Sequence, residues 1–206
     1  DCVYQNLDYV RQHHPQHVLV LAGDHIYKMD YGPMIAYHVE NKADITVGVV
    51  EVPKEQAAGA FGVMTVDTQN RVLRFAEKPQ EPDGIPGREH LALGSMGIYV
   101  FNARLLERML DENAQNPETA HDFGKNIIPA ALDKMKVFAY PFRDVRTRAQ
   151  QYWRDVGTVD AYYELPADTK LRAGERVAVE IPTLDSKVES LVLPFNAVLH
   201  DIHGGQ

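Results

Sequence analysis

The stretch HVLVLAGDHIY, residues 17–27, constrains the fold of this chain more than any other. Five or six apolar residues bounded by turn chemistry read as a strand buried on both faces, the signature of a parallel sheet in an α/β protein. The run stops at Gly23 and hands over Asp24 at the strand's carboxyl end. In open α/β sheets that end borders the crevice where ligands bind, so Asp24 is a candidate metal or substrate ligand. Asp24 is equally placed to cap a following helix, with Gly23 making the turn.

Around this strand the periodicities alternate. Val3, Leu7 and Val10 share one face of a helix over residues 1–13, ended by Pro15. A second helix is expected over residues 31–42, with Met34, Ile35, His38 and Val39 on one face and His38 packed rather than ligating. Residues 44–52 are β-branched and apolar, a further strand closed by Pro53. Residues 62–66 and 71–75 alternate apolar with polar about a short polar turn, a hairpin that leads into Glu77-Lys78-Pro79. Residues 79–90 form a surface loop, and 91–101 a strand carrying Ser95-Met96-Gly97. Asn102 is expected to cap a helix with Leu105, Leu106, Met109 and Leu110 on its buried face. A helix from the HDFGK string through Met135, a strand over 137–140 and an exposed basic stretch at 143–150 complete the pattern. The whole reads as an α/β domain with a mostly parallel sheet.

Composition excludes several classes. The net charge of -8 argues against a nucleic-acid or anionic-membrane surface, since both require a basic patch. Cys2 is the only cysteine, so no internal disulfide forms and nothing demands an oxidising compartment. No apolar stretch reaches the length of a membrane span, and no signal peptide opens the chain. A sequence running from Asp1 to Gln206 after two glycines reads as a piece of a longer protein.

The strings AGDHIYKMDY, EKP, SMGIYVF, HDFGK and YWRDVGT, in that order from residue 1 to about Tyr163, resemble the catalytic domain of bacterial ADP-glucose pyrophosphorylases. The resemblance implies a truncated Rossmann-like nucleotidyltransferase domain over residues 1–163. It implies a cytoplasmic enzyme of glycogen synthesis that joins glucose 1-phosphate to ATP, releasing ADP-glucose and pyrophosphate. The parent family is homotetrameric. Such a transfer brings two anions together, so cations must neutralise and align them. Mg2+ takes one or two carboxylates and keeps waters and phosphate oxygens as its other ligands.

The resemblance assigns Asp24 and Asp155 to Mg2+ as the catalytic pair. Without it, Asp155 reads equally as a partner of Arg154 or a helix cap. Lys78 is implied to bind the sugar phosphate and Glu77 the sugar hydroxyls. Ser95 and Asp122 are implied to lie beside the sugar, although Ser95 also reads as a core-strand serine and Asp122 as a helix cap. Gly62 allows close approach of substrate or opens a strand. Trp153 and Tyr152 read as packing groups.

The family's glycine-rich nucleotide loop and first strand lie ahead of residue 1, which implies an incomplete triphosphate site and an uncovered apolar sheet edge. Another sugar nucleotidyltransferase, or a module that binds sugar phosphate without turnover, therefore remains as an alternative. Residues 164–206 form a short β-rich tail, with strands expected over 171–182, 190–194 and 197–200. No hexapeptide repeat is present. The strings AGERVAVEIP and LPFNAVLHDIHGG resemble the β-barrel segment of periplasmic efflux adaptor proteins.

Overall fold

The computed structural model describes residues 2–157 and the backbone of 190–194. The first helical segment comes in two pieces, α1 (Cys2–Gln5) and α2 (Leu7–His13), with the Asn6 side chain bonded to the Cys2 carbonyl at 2.8 Å. Val3, Leu7 and Val10 are all buried, as their spacing predicts. The chain continues through β1 (His17–Leu21), β2 (His25–Tyr27), α3 (Gly32–Glu40), β3 (Ile45–Pro53) and α4 (Lys54–Ala57). There follow β4 (Gly62–Val66), β5 (Val72–Glu77), β6 (Leu91–Asn102) and α5 (Ala103–Ala114). A π-helical turn (Phe123–Ile127), α6 (Ile128–Leu132), β7 (Val137–Pro141), β8 (Trp153–Asp155) and β9 (Ser190–Pro194) complete it.

Seven strands form one sheet, and β2 and β8 form a separate two-stranded ribbon. In the large sheet β1, β3, β4, β7 and β9 run one way while β5 and β6 run the other. The expected mostly parallel direction is thus realised in a mixed sheet, because β6 stands antiparallel to each of its neighbours β1, β3 and β4.

The twelve-residue β6 organises the sheet. One edge pairs with β3 from Leu91 to Phe101, interrupted by a bulge between Val47 and Val49. Its other edge is shared: β4 takes Leu93 and Gly94, and β1 takes Tyr99 to Asn102. Between those partners, over residues 95–98, the edge is open. The crevice lies at this fork, beyond the carboxyl end of β1 and before the start of β4.

Both faces of the sheet are covered, which explains the unbroken apolar run of β1. Val18 and Val20 pack on one side with Tyr99, Phe101, Leu106 and Leu110. Leu19 and Leu21 pack on the other with Met34, Ile98 and Val100. His38 is buried, with Nδ1 2.8 Å from Thr46 Oγ1, and is a packed histidine as expected. Val39 departs from the expected face of α3 and is 47% exposed, because the sheet touches only the narrower stripe of Met34, Ile35 and His38. Asn102 precedes α5 without capping it; its amide instead donates to the Ala43 carbonyl at 3.1 Å. The helix expected from HDFGK to Met135 begins as the π-turn and closes at Leu132.

The basic stretch at 143–150 is tied back to the sheet, since Arg143 and Arg88 both donate to the Glu51 carboxylate. Parallel pairing of β9 with β1, from His17↔Ser190 to Leu21↔Pro194, covers the edge that the sequence left uncovered. The division at residue 163 and the strands expected over 171–182 and 197–200 lie outside the described residues, as do the efflux-adaptor strings apart from 190–194. No helix among the described residues is long and apolar enough to cross a membrane.

Candidate active site

Past Leu21 the chain leaves β1, turns through Gly23 and enters β2. That strand pairs antiparallel with β8 in the register His25↔Asp155, Ile26↔Arg154 and Tyr27↔Trp153. Residues directly opposite in such a pair share one face, so His25 and Asp155 are presented together. Asp24 is held beside them, its carbonyl accepting from the Val156 N–H at 2.9 Å. One ligand atom each from Asp24, His25 and Asp155 lies within 4.8 Å of the others, and His25 Nε2 stands 3.5 Å from Asp24 Oδ1.

Asp155 Oδ1 accepts from the Gly157 N–H at 2.7 Å, which fixes the carboxylate. The helix that Asp155 was expected to cap falls outside the described residues. A Cβ at Gly157 would stand 3.1 Å from Asp155 Oδ1 and 3.4 Å from Asp24 Oδ2, so the loop backs closely onto both acids.

The hairpin supplies the opposite wall. Its register sets Gly62 across from Glu77, at the β4 end that faces the fork. Glu77 is half-buried, and burial, reinforced by Asp122 and opposed by Lys78 and Lys125, pushes its carboxyl above the usual range. A Cβ at Gly62 would lie 2.9 Å from Glu77 Oε2, and one at Gly124 would overlap that same oxygen. Gly124 therefore makes room for the carboxylate, and Gly62 for the Phe75 ring, which stands closer still, as well as for the carboxylate.

Lys78 sits at φ 48° immediately before Pro79, while its N–H donates to the Phe61 carbonyl at 3.0 Å. A left-handed residue ahead of proline is a costly conformation, and such strain concentrates where side chains must be aimed. The fixed backbone that proline implied is present, in a less populated conformation than expected.

Asp122 both caps and lines. Its Oδ1 accepts from the Lys125 N–H at 2.8 Å while its own N–H donates to Asn126 Oδ1 at 3.1 Å. The π-turn it starts is of a kind often found at functional sites. Ser95 faces the gap in the β6 edge, where its Oγ accepts from the Gly97 N–H at 3.3 Å. The Tyr99 hydroxyl lies near Ser95, and burial pushes it up to about 12.

These groups share one cavity of about 300 Å³. Asp24, Gly62, Glu77, Lys78, Ser95, Asp122 and Asp155, all singled out from the sequence, lie on its wall. Sequence reasoning missed His25, Gly97, Tyr99, Phe123 and Gly124, which line it too. Trp153 does pack, edge-on to His25 with ring centroids 4.8 Å apart, but it also lines the cavity and keeps a buried Nε1 without a hydrogen-bond partner among the described residues. The adjacency of His25 to Asp24 was the one signal available for it; nothing in the sequence reported its register with Asp155.

Two exposed carboxylates and a mostly buried imidazole form a donor set able to hold a small divalent cation. Across the cavity, Lys78 and the Glu77–Asp122 pair offer a cation and hydrogen-bond acceptors, a combination suited to a phosphorylated polyol.

Comparison with known proteins identifies the family. Residues 1–171 match the family model described as nucleotidyl transferase. Glucose-1-phosphate adenylyltransferase 2 of Alkalilimnicola ehrlichii is 60% identical over 163 residues, covering 79% of this chain and 38% of that protein. The glucose-1-phosphate adenylyltransferase of Teredinibacter turnerae is 55% identical over 163 residues, covering 79% of this chain and 39% of that protein. That of Paramagnetospirillum magneticum is 54% identical over 172 residues, covering 82% of this chain and 40% of that protein. The chain thus spans about two fifths of the length of these curated relatives.

Proposed function

The chain belongs to the nucleotidyl transferase family, and from that premise we propose that its cavity is the sugar-phosphate side of a glucose-1-phosphate adenylyltransferase site. The reaction joins glucose 1-phosphate to the α-phosphoryl group of ATP, giving ADP-glucose and pyrophosphate. The names of the relatives support glucose 1-phosphate and the adenylyl group. The observation that carries the reading is the division of one cavity into a carboxylate end, Asp24 with Asp155, and a sugar-phosphate end, Glu77 with Lys78.

In this reading the Lys78 ammonium meets the sugar phosphate as a point charge, its direction set by the strained backbone. Glu77 and Asp122 accept from sugar hydroxyls, Ser95 lies beside the sugar, and Gly62 leaves space for its approach. Asp24 and Asp155 hold Mg2+, for which two carboxylates with room for waters and phosphate oxygens are a fitting set. When bound, the ion supplies charge neutralisation to the phosphates. The protein's own contribution is alignment: the ribbon and the hairpin fix the two ends, so the reacting anions are held in place. The cytoplasmic setting and the homotetramer expected of the family belong to the same proposal.

Calorimetric titration with glucose 1-phosphate tests it. Saturable binding that weakens about tenfold or more in Lys78→Ala is expected, the loss of one charge-assisted contact. Binding of equal strength in Lys78→Ala, or no binding at all, overturns it. Pyrophosphate release from ATP and glucose 1-phosphate, abolished in Asp24→Asn, is the corresponding test of the transfer step.

A further inference from the structure

The His25 imidazole stands where no motif placed it. Its side chain is only 10% exposed, Nε2 faces Asp24 Oδ1 at 3.5 Å, and the ring is also hydrogen-bonded to the Met96 backbone. A ligating histidine characteristically donates its other ring N–H to a backbone carbonyl or carboxylate, which fixes the ring, and a backbone bond of this kind is present here.

The surrounding structure holds the ring in place. Trp153 packs edge-on to it with centroids 4.8 Å apart. Gly97, at φ 68°, leaves room on another side, where a Cβ would come within 3.3 Å of His25 Cε1. Asp155 is fixed opposite by strand register, and its carboxylate is anchored by Gly157. Ligands each about 2.1 Å from a cation stand about 3–4 Å apart, so donor atoms within 4.8 Å of one another close onto one ion with small side-chain rotations.

Resting on the cation reading of Asp24 and Asp155 above, we propose that His25 is a third ligand to that ion, and that it tunes the site toward manganese(II) over magnesium. An imidazole nitrogen contributes little to Mg2+, which favours oxygen, whereas first-row transition metals accept mixed nitrogen and oxygen sets. One nitrogen among carboxylates therefore raises affinity for Mn2+ more than for Mg2+. Trp153 and Gly97 act as positioning residues for the ligand ring.

Electron paramagnetic resonance titration of the full chain with Mn2+, alone and in competition with Mg2+, separates the ideas. The expected result is a bound Mn2+ whose affinity falls about tenfold or more in His25→Gln while the competing Mg2+ affinity changes less than about threefold. An unchanged preference in His25→Gln, with binding lost in Asp24→Asn and Asp155→Asn, overturns the role of His25 and leaves the carboxylate reading standing. Binding undisturbed by both aspartate variants, or absent from the unaltered chain, overturns both. The electron spin-echo spectrum of the Mn2+-loaded unaltered chain is independent of how any variant folds. It should carry ¹⁴N modulation from a directly bound imidazole, and a spectrum lacking that modulation overturns the proposal.

Discussion

Two parts of the same strand behave differently. Over residues 99–101, β6 lies between β1 and β3, and Val100 and Phe101 are fully buried between two apolar layers. Over residues 94–97 one edge is open beyond Gly94 and, apart from the core residue Met96, the side chains shrink, so that Phe61 closes on Gly94 and the His25 ring on Gly97. The first part is rigid because it is packed on every side. The second is accessible because small residues and a missing neighbour leave space. Adjacent placement puts both ends of the cavity on one strand: β1, which leads to Asp24, pairs with the packed part, and β4, which starts the hairpin, pairs with Leu93 and Gly94.

The sharpest way to break the comparison is Phe101→Ala. Truncating a fully buried aromatic that packs against Phe123 at 5.7 Å should cost about 3–5 kcal/mol in urea unfolding. A cost below about 1 kcal/mol would show that this part of β6 is not rigidly packed.

Next in size is a pH effect centred on His38. Burial holds its imidazole down to about 4, below the usual 6.5, with Asn102 partly opposing. The unfolded chain therefore takes up its proton first as pH falls. Stability fully present above pH 6.5 should decline toward pH 4 by at most about 3 kcal/mol. Chemical denaturation at pH 7, 5.5 and 4.5 reads this slope, and His38→Gln should flatten it. His17, whose ring meets His38 edge-on at 5.1 Å and which burial also lowers, contributes with the same sign.

The smallest effect has the opposite sign. Lys78→Gly removes a side chain from a left-handed backbone and should stabilise the chain by about 0.5–1 kcal/mol while weakening sugar-phosphate binding. A gain in melting temperature with a loss of affinity would show that strain is tolerated on the accessible side for the sake of the site. A loss of both would place Lys78 with the structural residues instead.

Much of the fold was legible because its signals are local. The alternation of Val18, Leu19, Val20 and Leu21 between two faces required a doubly covered strand, and the structure has one. The α5 stripe of Leu105, Leu106, Met109 and Leu110 was equally readable, since helical period and apolar content agree. Val39 shows the limit: helical spacing gives a direction but not the width of the surface that meets it. At the site, Asp24 was legible from its place after β1, whereas Lys78 and Asp155 came from motif resemblance. Nothing local separates a ligating lysine from a solvated one.

By itself the sequence determined the α/β class, the buried character of β1 and β6, the hairpin that ends in Glu77-Lys78, and the residue types gathered at the crevice. Those properties follow from periodicity, turn chemistry and side-chain chemistry, all of which act within a few residues. Tertiary structure alone decided the antiparallel insertion of β6, the fork it creates, the pairing of His25 with Asp155, and the seat of Glu77 between Gly62 and Gly124. Each depends on strand register or on close approach between segments distant in the chain. Such contacts form only once the whole core is packed.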